Sequence, residues 1–155
     1  MQKIKLVCIG SIKEKFYTDA INEYKKRLQR FCDFEIVELP EFLPPSKCND
    51  EQIKGRESEE ILKVVSGFVV VLDLNGKEIS SEQLAQVIKE RSITSDSKVT
   101  FVIGGSLGLS NEVIKRANLL VKAGKMTFPH QLMRVMLTEQ IYRAMTINNN
   151  VKYHK

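Results

Sequence analysis

Ser106 stands at the centre of Gly104-Gly-Ser-Leu-Gly108, a G-x-S-x-G pattern directly after the apolar run Phe101-Val-Ile103. Two chemistries need such a turn. It can present a serine nucleophile, with Glu139 and His154 following in the order acid then histidine. Alternatively, its glycines let main chain approach a ligand where any side chain would block it, giving a backbone-lined pocket. A tight strand-to-helix turn with no ligand is the plain structural alternative. The context does not favour the hydrolase. Glu139 lies four residues before Arg143, where an ion pair within one helix accounts for it. His154 lies in the terminal tail, and no earlier glycine-rich segment supplies an oxyanion donor.

Other chemistries lack their residues. The spacing of Gly104, Gly105 and Gly108 is not G-x-G-x-x-G, and no G-x-x-x-x-G-K-[ST] occurs, so nucleotide phosphates have no loop of either kind. Cys8, Cys32 and Cys48 form no C-x-x-C pair, and with His130 and His154 as the only histidines no metal-ligand cluster emerges. The cysteines read as reduced thiols of a cytoplasmic protein. Arg134 and Arg143 are placed for ion pairs or caps, with phosphate contact as the alternative. His130 reads either as a helix-start residue or as a functional one.

These residues need a scaffold, and strand and helix signals alternate along all 155 residues. Ile4–Ile9, Phe34–Leu39, Phe68–Leu74, Lys98–Ile103 and Leu119–Val121 read as strands, the third ended by an Asn75-Gly76 turn. Helical spacing runs from about Lys15 through Phe31, with Lys25, Lys26, Arg27 and Arg30 on the opposite face as a solvated or RNA-facing patch. Further helices are expected over Glu51–Val65, from a Ser81 cap to Ser92, over Asn111–Arg116, and from Pro129 to Ile147. Pro44, Pro45, Ser46, Asn49 and Asp50 mark a loop too short to separate domains.

The alternation predicts one α/β domain over residues 1–155, a mostly parallel sheet with helices on both faces. Ligands of such sheets sit at the carboxyl ends of the strands, here Leu72–Asn75, Gly104–Gly108 and Ala123–Phe128. The last helix is apolar nearly all round, which predicts a homodimer interface. Composition is ordinary for a soluble protein, at 43% hydrophobic and 28% charged. The longest apolar run, Phe68–Leu72, is too short to span a membrane, and Met1–Gly10 reads as a strand and not a signal peptide. A net charge of +5 favours polyanionic partners.

Taken together, several segments carry a resemblance: Phe101-Val-Ile-Gly-Gly-Ser-Leu-Gly108, Lys125-Met-Thr-Phe-Pro-His-Gln-Leu-Met-Arg-Val135, Glu139-Gln-Ile-Tyr-Arg-Ala144 and Tyr153-His-Lys155. Lys3-Ile-Lys-Leu-Val-Cys-Ile-Gly10 and Leu72-Asp-Leu-Asn-Gly-Lys77 fit as well. The chain resembles, over essentially its whole length, the family of small bacterial ribosomal RNA large-subunit methyltransferases H, of the SPOUT class. The Thr-Phe-Pro-His segment with the terminal Tyr-His is the specific part.

The resemblance implies a C-terminal trefoil knot, a homodimer, and methyl transfer from S-adenosylmethionine to N3 of a pseudouridine in 23S ribosomal RNA, on the assembled ribosome. Carried over by position, it implies a cofactor site of Leu72, Gly104, Ala123, Gly124, Lys125, Met126, Thr127 and Phe128. It also implies catalytic roles for Arg143, Tyr153 and His154, with no metal and no membrane partner. His154 is the first candidate for placing or deprotonating the acceptor, in a tail expected to need the partner subunit or the RNA for its order. A non-catalytic ribosome-binding protein that keeps the fold is the other reading.

Overall fold

The computed structural model describes residues 1–43 and 47–155; Pro44, Pro45 and Ser46 of the expected loop lie outside the described residues. Strands β1 (Lys3–Ile9), β2 (Asp33–Leu39), β3 (Phe68–Glu78), β4 (Val99–Ile103) and β5 (Leu119–Lys122) alternate with helices α1 (Lys15–Leu28), α2 (Asp50–Val64), α3 (Ser81–Ser92), α4 (Asn111–Arg116) and α5 (His130–Asn148). The strands form one sheet in the order β2-β1-β4-β3-β5, and every pairing is parallel.

Period-two side-chain alternation sorts the sheet into two faces. Ile36, Leu6, Phe101, Val70 and Leu119 stand in register in one row across all five strands. With Leu28, Leu84, Ile88, Leu137 and Ile141 they form the core beneath α1, α3 and α5. The other face, with Val7, Val69, Val71 and Val102, packs against Ile61 of α2 and Val113 of α4. Burial of Phe101 alone is worth about 1.5–3 kcal/mol, and all five residues of β4 are buried.

Two expectations need correction. Ser80, not Ser81, caps α3: its side chain accepts from the Gln83 N–H, while Gln83 accepts from the Ser80 N–H. A capping box needs its acceptor three residues before the Glu or Gln, and Ser81 is one residue late. Asn75-Gly76 does not end β3 either. Both Leu72 and Lys77 pair with Val121, and the residues between them bulge outward. The Asp73 carboxylate accepts from the Asn75 N–H at 3.0 Å, so the turn signal is spent on a bulge inside the strand.

Candidate functional site

The carboxyl ends of β3, β4 and β5 converge as expected, and their loops enclose a cavity of about 360 Å³. Leu72, Gly104, Ala123, Gly124, Met126, Thr127 and Phe128 all line it. Lys125 does not; it is exposed and turned out of the cavity wall. An annex of about 350 Å³ opens between β3, β5, α3 and α5, sharing Leu72, Lys122, Ala123, Gly124 and Met133 with the first cavity.

The glycine turn is closed on itself: Gly108 N–H donates to the Gly105 carbonyl at 3.0 Å. Gly108 has φ +82°, a left-handed conformation that favours glycine. A Cβ on Gly104 would lie 2.8 Å from Leu109 Cγ. The cavity wall combines main chain with Leu72, Phe128 and the exposed Met126; Ser106, Lys122 and His130 line it too, and Asp73 is its only lining carboxylate among the described residues. Such a wall suits a ligand with apolar faces and hydrogen-bonding edges.

Glu57 of α2 lies beneath this turn, 7% exposed, and accepts the Phe42 N–H at 3.3 Å. Nothing in its polar helix marks it in the sequence. Burial pushes its carboxyl above the usual range, partly opposed by the Phe42 hydrogen bond. A carboxyl raised in the folded state favours folding below its unfolded pKa, and that contribution is lost as pH rises through the folded value. Glu57→Gln is thus expected to raise stability at neutral pH and to converge on the parent in acid. Thermal melts of both proteins across that range check this, and a gap independent of pH would contradict it.

Arg143, Tyr153 and His154 are brought together, but away from the glycine cavity, none of whose walls they form. Arg143 makes a two-pronged ion pair with Glu139 at 3.1 and 2.7 Å. Tyr153 donates its hydroxyl to the same carboxylate at 2.9 Å, and its ring centroid lies 4.8 Å from the Arg143 guanidinium carbon. Burial first, then Glu139, raises the Tyr153 phenol to about 12, so it remains a donor.

His154 Nδ1 lies 3.1 Å from Arg143, and Nε2 lies 2.6 Å from Glu82. A guanidinium can only donate, so Nδ1 accepts and Nε2 carries the hydrogen toward Glu82. That hydrogen bond is the main cause of a lowered Glu82 carboxyl pKa. Within one chain, α3 and α5 hold the tail side chains through Glu82, Glu139 and Arg143.

The serine triad is not assembled, because Glu139 is engaged by Arg143 and Tyr153, and His154 by Arg143 and Glu82. Arg134 is no phosphate ligand: it is 2% exposed, paired with Glu38 at 2.7 Å, and donates to the Gly10 carbonyl at 3.1 Å. Of the basic patch, Arg27 is tied to Glu23 at 3.0 Å and lies over the Tyr24 and Tyr142 rings. Cys8 and Cys32 are buried thiols raised to about 12, largely by desolvation. Among the described residues no cluster of three His, Cys, Asp or Glu could hold a metal, and no helix is long and apolar enough to cross a membrane.

Comparison with known proteins agrees with this architecture. The family described as "Predicted SPOUT methyltransferase" matches residues 2–154. The chain is 50% identical over 157 residues to the ribosomal RNA large subunit methyltransferase H of Lactobacillus helveticus, covering 98% of this chain and 99% of that protein. It is 44% identical over 158 residues to the protein of the same name from Streptococcus pyogenes, covering 99% of each. Among solved structures, a probable methyltransferase from Bordetella pertussis superposes with a TM-score of 0.62 at 12% identity, over 93% of this chain and 95% of that one. A probable methylase family protein from Haemophilus influenzae does so with a TM-score of 0.58, also at 12% identity, over 95% of this chain and 66% of that one. At that identity the two structures speak for the fold alone, whereas the match from residue 2 to 154 and the near-full-length relatives reach the sequence itself. Chain topology, the three-loop cavity and these matches together make the chain a member of the SPOUT methyltransferase family.

Proposed function

We propose that this protein transfers a methyl group from S-adenosylmethionine to N3 of a pseudouridine in 23S ribosomal RNA, acting on the assembled ribosome. It does so as a cytoplasmic homodimer of single knotted domains. The observation that carries the reading is the convergence of three carboxyl-edge loops on a cavity walled largely by main chain and apolar side chains, with Asp73, Lys122 and His130 among its polar lining. The names of the relatives support the ribosomal substrate.

The donor set fits the cofactor. Adenosine needs apolar faces and main-chain partners, which Leu72, Gly104, Phe128 and the Ala123–Thr127 segment offer, and Asp73 offers negative charge to a cationic ligand. When bound, the cofactor supplies a methyl already activated by its sulfonium centre. The chain's task is alignment of donor and acceptor, which is where positioning contributes most. Arg143, Tyr153 and His154 form a preassembled group that orients the RNA. α5 packs between α1 and α3 and leaves Leu132, Val135 and Met136 half-exposed, a face for a second copy.

Calorimetry with S-adenosylmethionine, paired with methyl incorporation into ribosomes lacking this modification, tests the reading. Binding and incorporation are expected. A folded protein that associates with ribosomes but incorporates no methyl would instead support the non-catalytic binding role.

A further inference from the structure

A second, wider cavity of about 1070 Å³ adjoins the first. Its walls are the loop after β1, the end of β2, the start of α1, the glycine turn and the start of α5. The two cavities share Gly105, Ser106 and His130. His130 is the only titratable side chain on both, among the described residues. Asp73 and Lys122 line the first alone, and Lys13, Glu14, Tyr17, Glu38, Glu41 and Arg134 the second alone.

His130 is exposed and makes no hydrogen bond or ion pair among the described residues, unlike His154, both of whose ring nitrogens are engaged. The wider cavity also suits a nucleobase. Phe16, 63% exposed, stands on its wall beside Tyr17, ring centroids 4.3 Å apart, and unstacked bases settle on such rings. The annex carries no aromatic ring on its surface comparable to Phe16 and no histidine; Leu84, the buried Phe101, Val121 and Leu137 line it together with Glu78 and Lys122.

Resting on the methyltransferase reading above, we propose that the wider cavity receives the acceptor base and that His130 takes the proton from its nitrogen. The step balances. The acceptor N–H proton passes to the free imidazole nitrogen, and the nitrogen electron pair forms the new N–C bond. The S–C bond breaks with its electrons remaining on sulfur, and the imidazolium then loses its proton to water. Arg134 is a positioning residue here. Its pairing with Glu38 and its contact with the Gly10 carbonyl hold the loop after β1 and the end of β2 against the first turns of α5.

The test uses His130→Gln and His130→Gly in the full-length protein. With ribosomes as substrate, kcat is expected to fall about 10²–10⁴-fold, the usual contribution of a general base. KM and the affinity for S-adenosylhomocysteine should hold, and added imidazole should restore turnover to the glycine variant. Independently of turnover, diethyl pyrocarbonate should modify His130 before His154 in the unliganded protein, read by peptide mass spectrometry, and bound ribosomes should protect it. Near-parental kcat in both variants, a loss that imidazole does not rescue, or preferential modification of His154 would each overturn the assignment. If the parent protein itself neither binds the cofactor nor methylates, it is the methyltransferase reading that fails.

Discussion

Deleting Tyr153, His154 and Lys155 is expected to lower methyl transfer by at least about a hundredfold while leaving S-adenosylmethionine affinity nearly unchanged, because an acceptor misplaced by about an ångström costs that much. The separation of effects follows from the geometry. None of the three residues touches the glycine cavity, so that cavity keeps its walls. What is lost is the group built on α5. Glu139 loses the Tyr153 hydroxyl, Arg143 loses both the imidazole and the ring beneath it, and Glu82 loses its donor. Arg143 would keep its pair with Glu139, so the helix itself should remain folded. Parallel calorimetry and methyl incorporation on the truncated chain decide the matter. Retained turnover would remove the tail from the mechanism, and lost cofactor binding would show that the tail supports the cavity.

Gly76→Ala is expected to have the largest effect on the scaffold. Gly76 sits where β3 rejoins β5 after its bulge, and a Cβ there would stand 2.5 Å from the Val121 carbonyl carbon and 2.6 Å from its nitrogen. Main chain cannot swing aside as a side-chain tip can, so the two strands must separate. Overpacking of this kind costs about 1–3 kcal/mol. β5 also delivers Ala123 and Gly124 to the cavity, so cofactor affinity should fall together with stability. Urea unfolding and calorimetry on the same variant measure both. An unchanged midpoint would show that the strands part there without strain. By contrast, among the described residues no atom lies within 4 Å of the Cβ position of Gly108, and substitution there meets the cost of its left-handed backbone.

Much of the scaffold was legible because it is written in local patterns. Phe101 and its neighbours form an apolar strand that runs into glycines, and the spacing of Ile21 and Leu28 shows the inner face of α1, from which Phe16 departs by standing exposed. The rule that ligands bind beyond the carboxyl ends of parallel strands then predicted which loops would meet. Motif resemblance added Arg143, Tyr153 and His154, and the fold brings these together. Less was legible where one residue's role depends on a partner far along the chain. Asn75-Gly76 looks like a terminating turn until β5 is seen to take the strand up again on its far side. Ser80 and Ser81 differ as caps only by where the first helical turn begins.

By itself, then, the sequence determined the alternation of strands and helices, the three loops that meet at the glycine cavity and the family, since each rests on periodicity or on contiguous motifs. Tertiary structure alone decided which side chains are free to act. Glu38 and Arg134 are 96 positions apart and close a buried pair, Glu57 comes from another helix to lie under Gly105, and Glu82 reaches the tail from α3. The two histidines look alike as sequence. Folding gives His154 a partner on each nitrogen and, among the described residues, leaves His130 without one at the junction of two cavities. The physical reason is that a hydrogen bond depends on distance in space, which residue spacing along the chain does not encode.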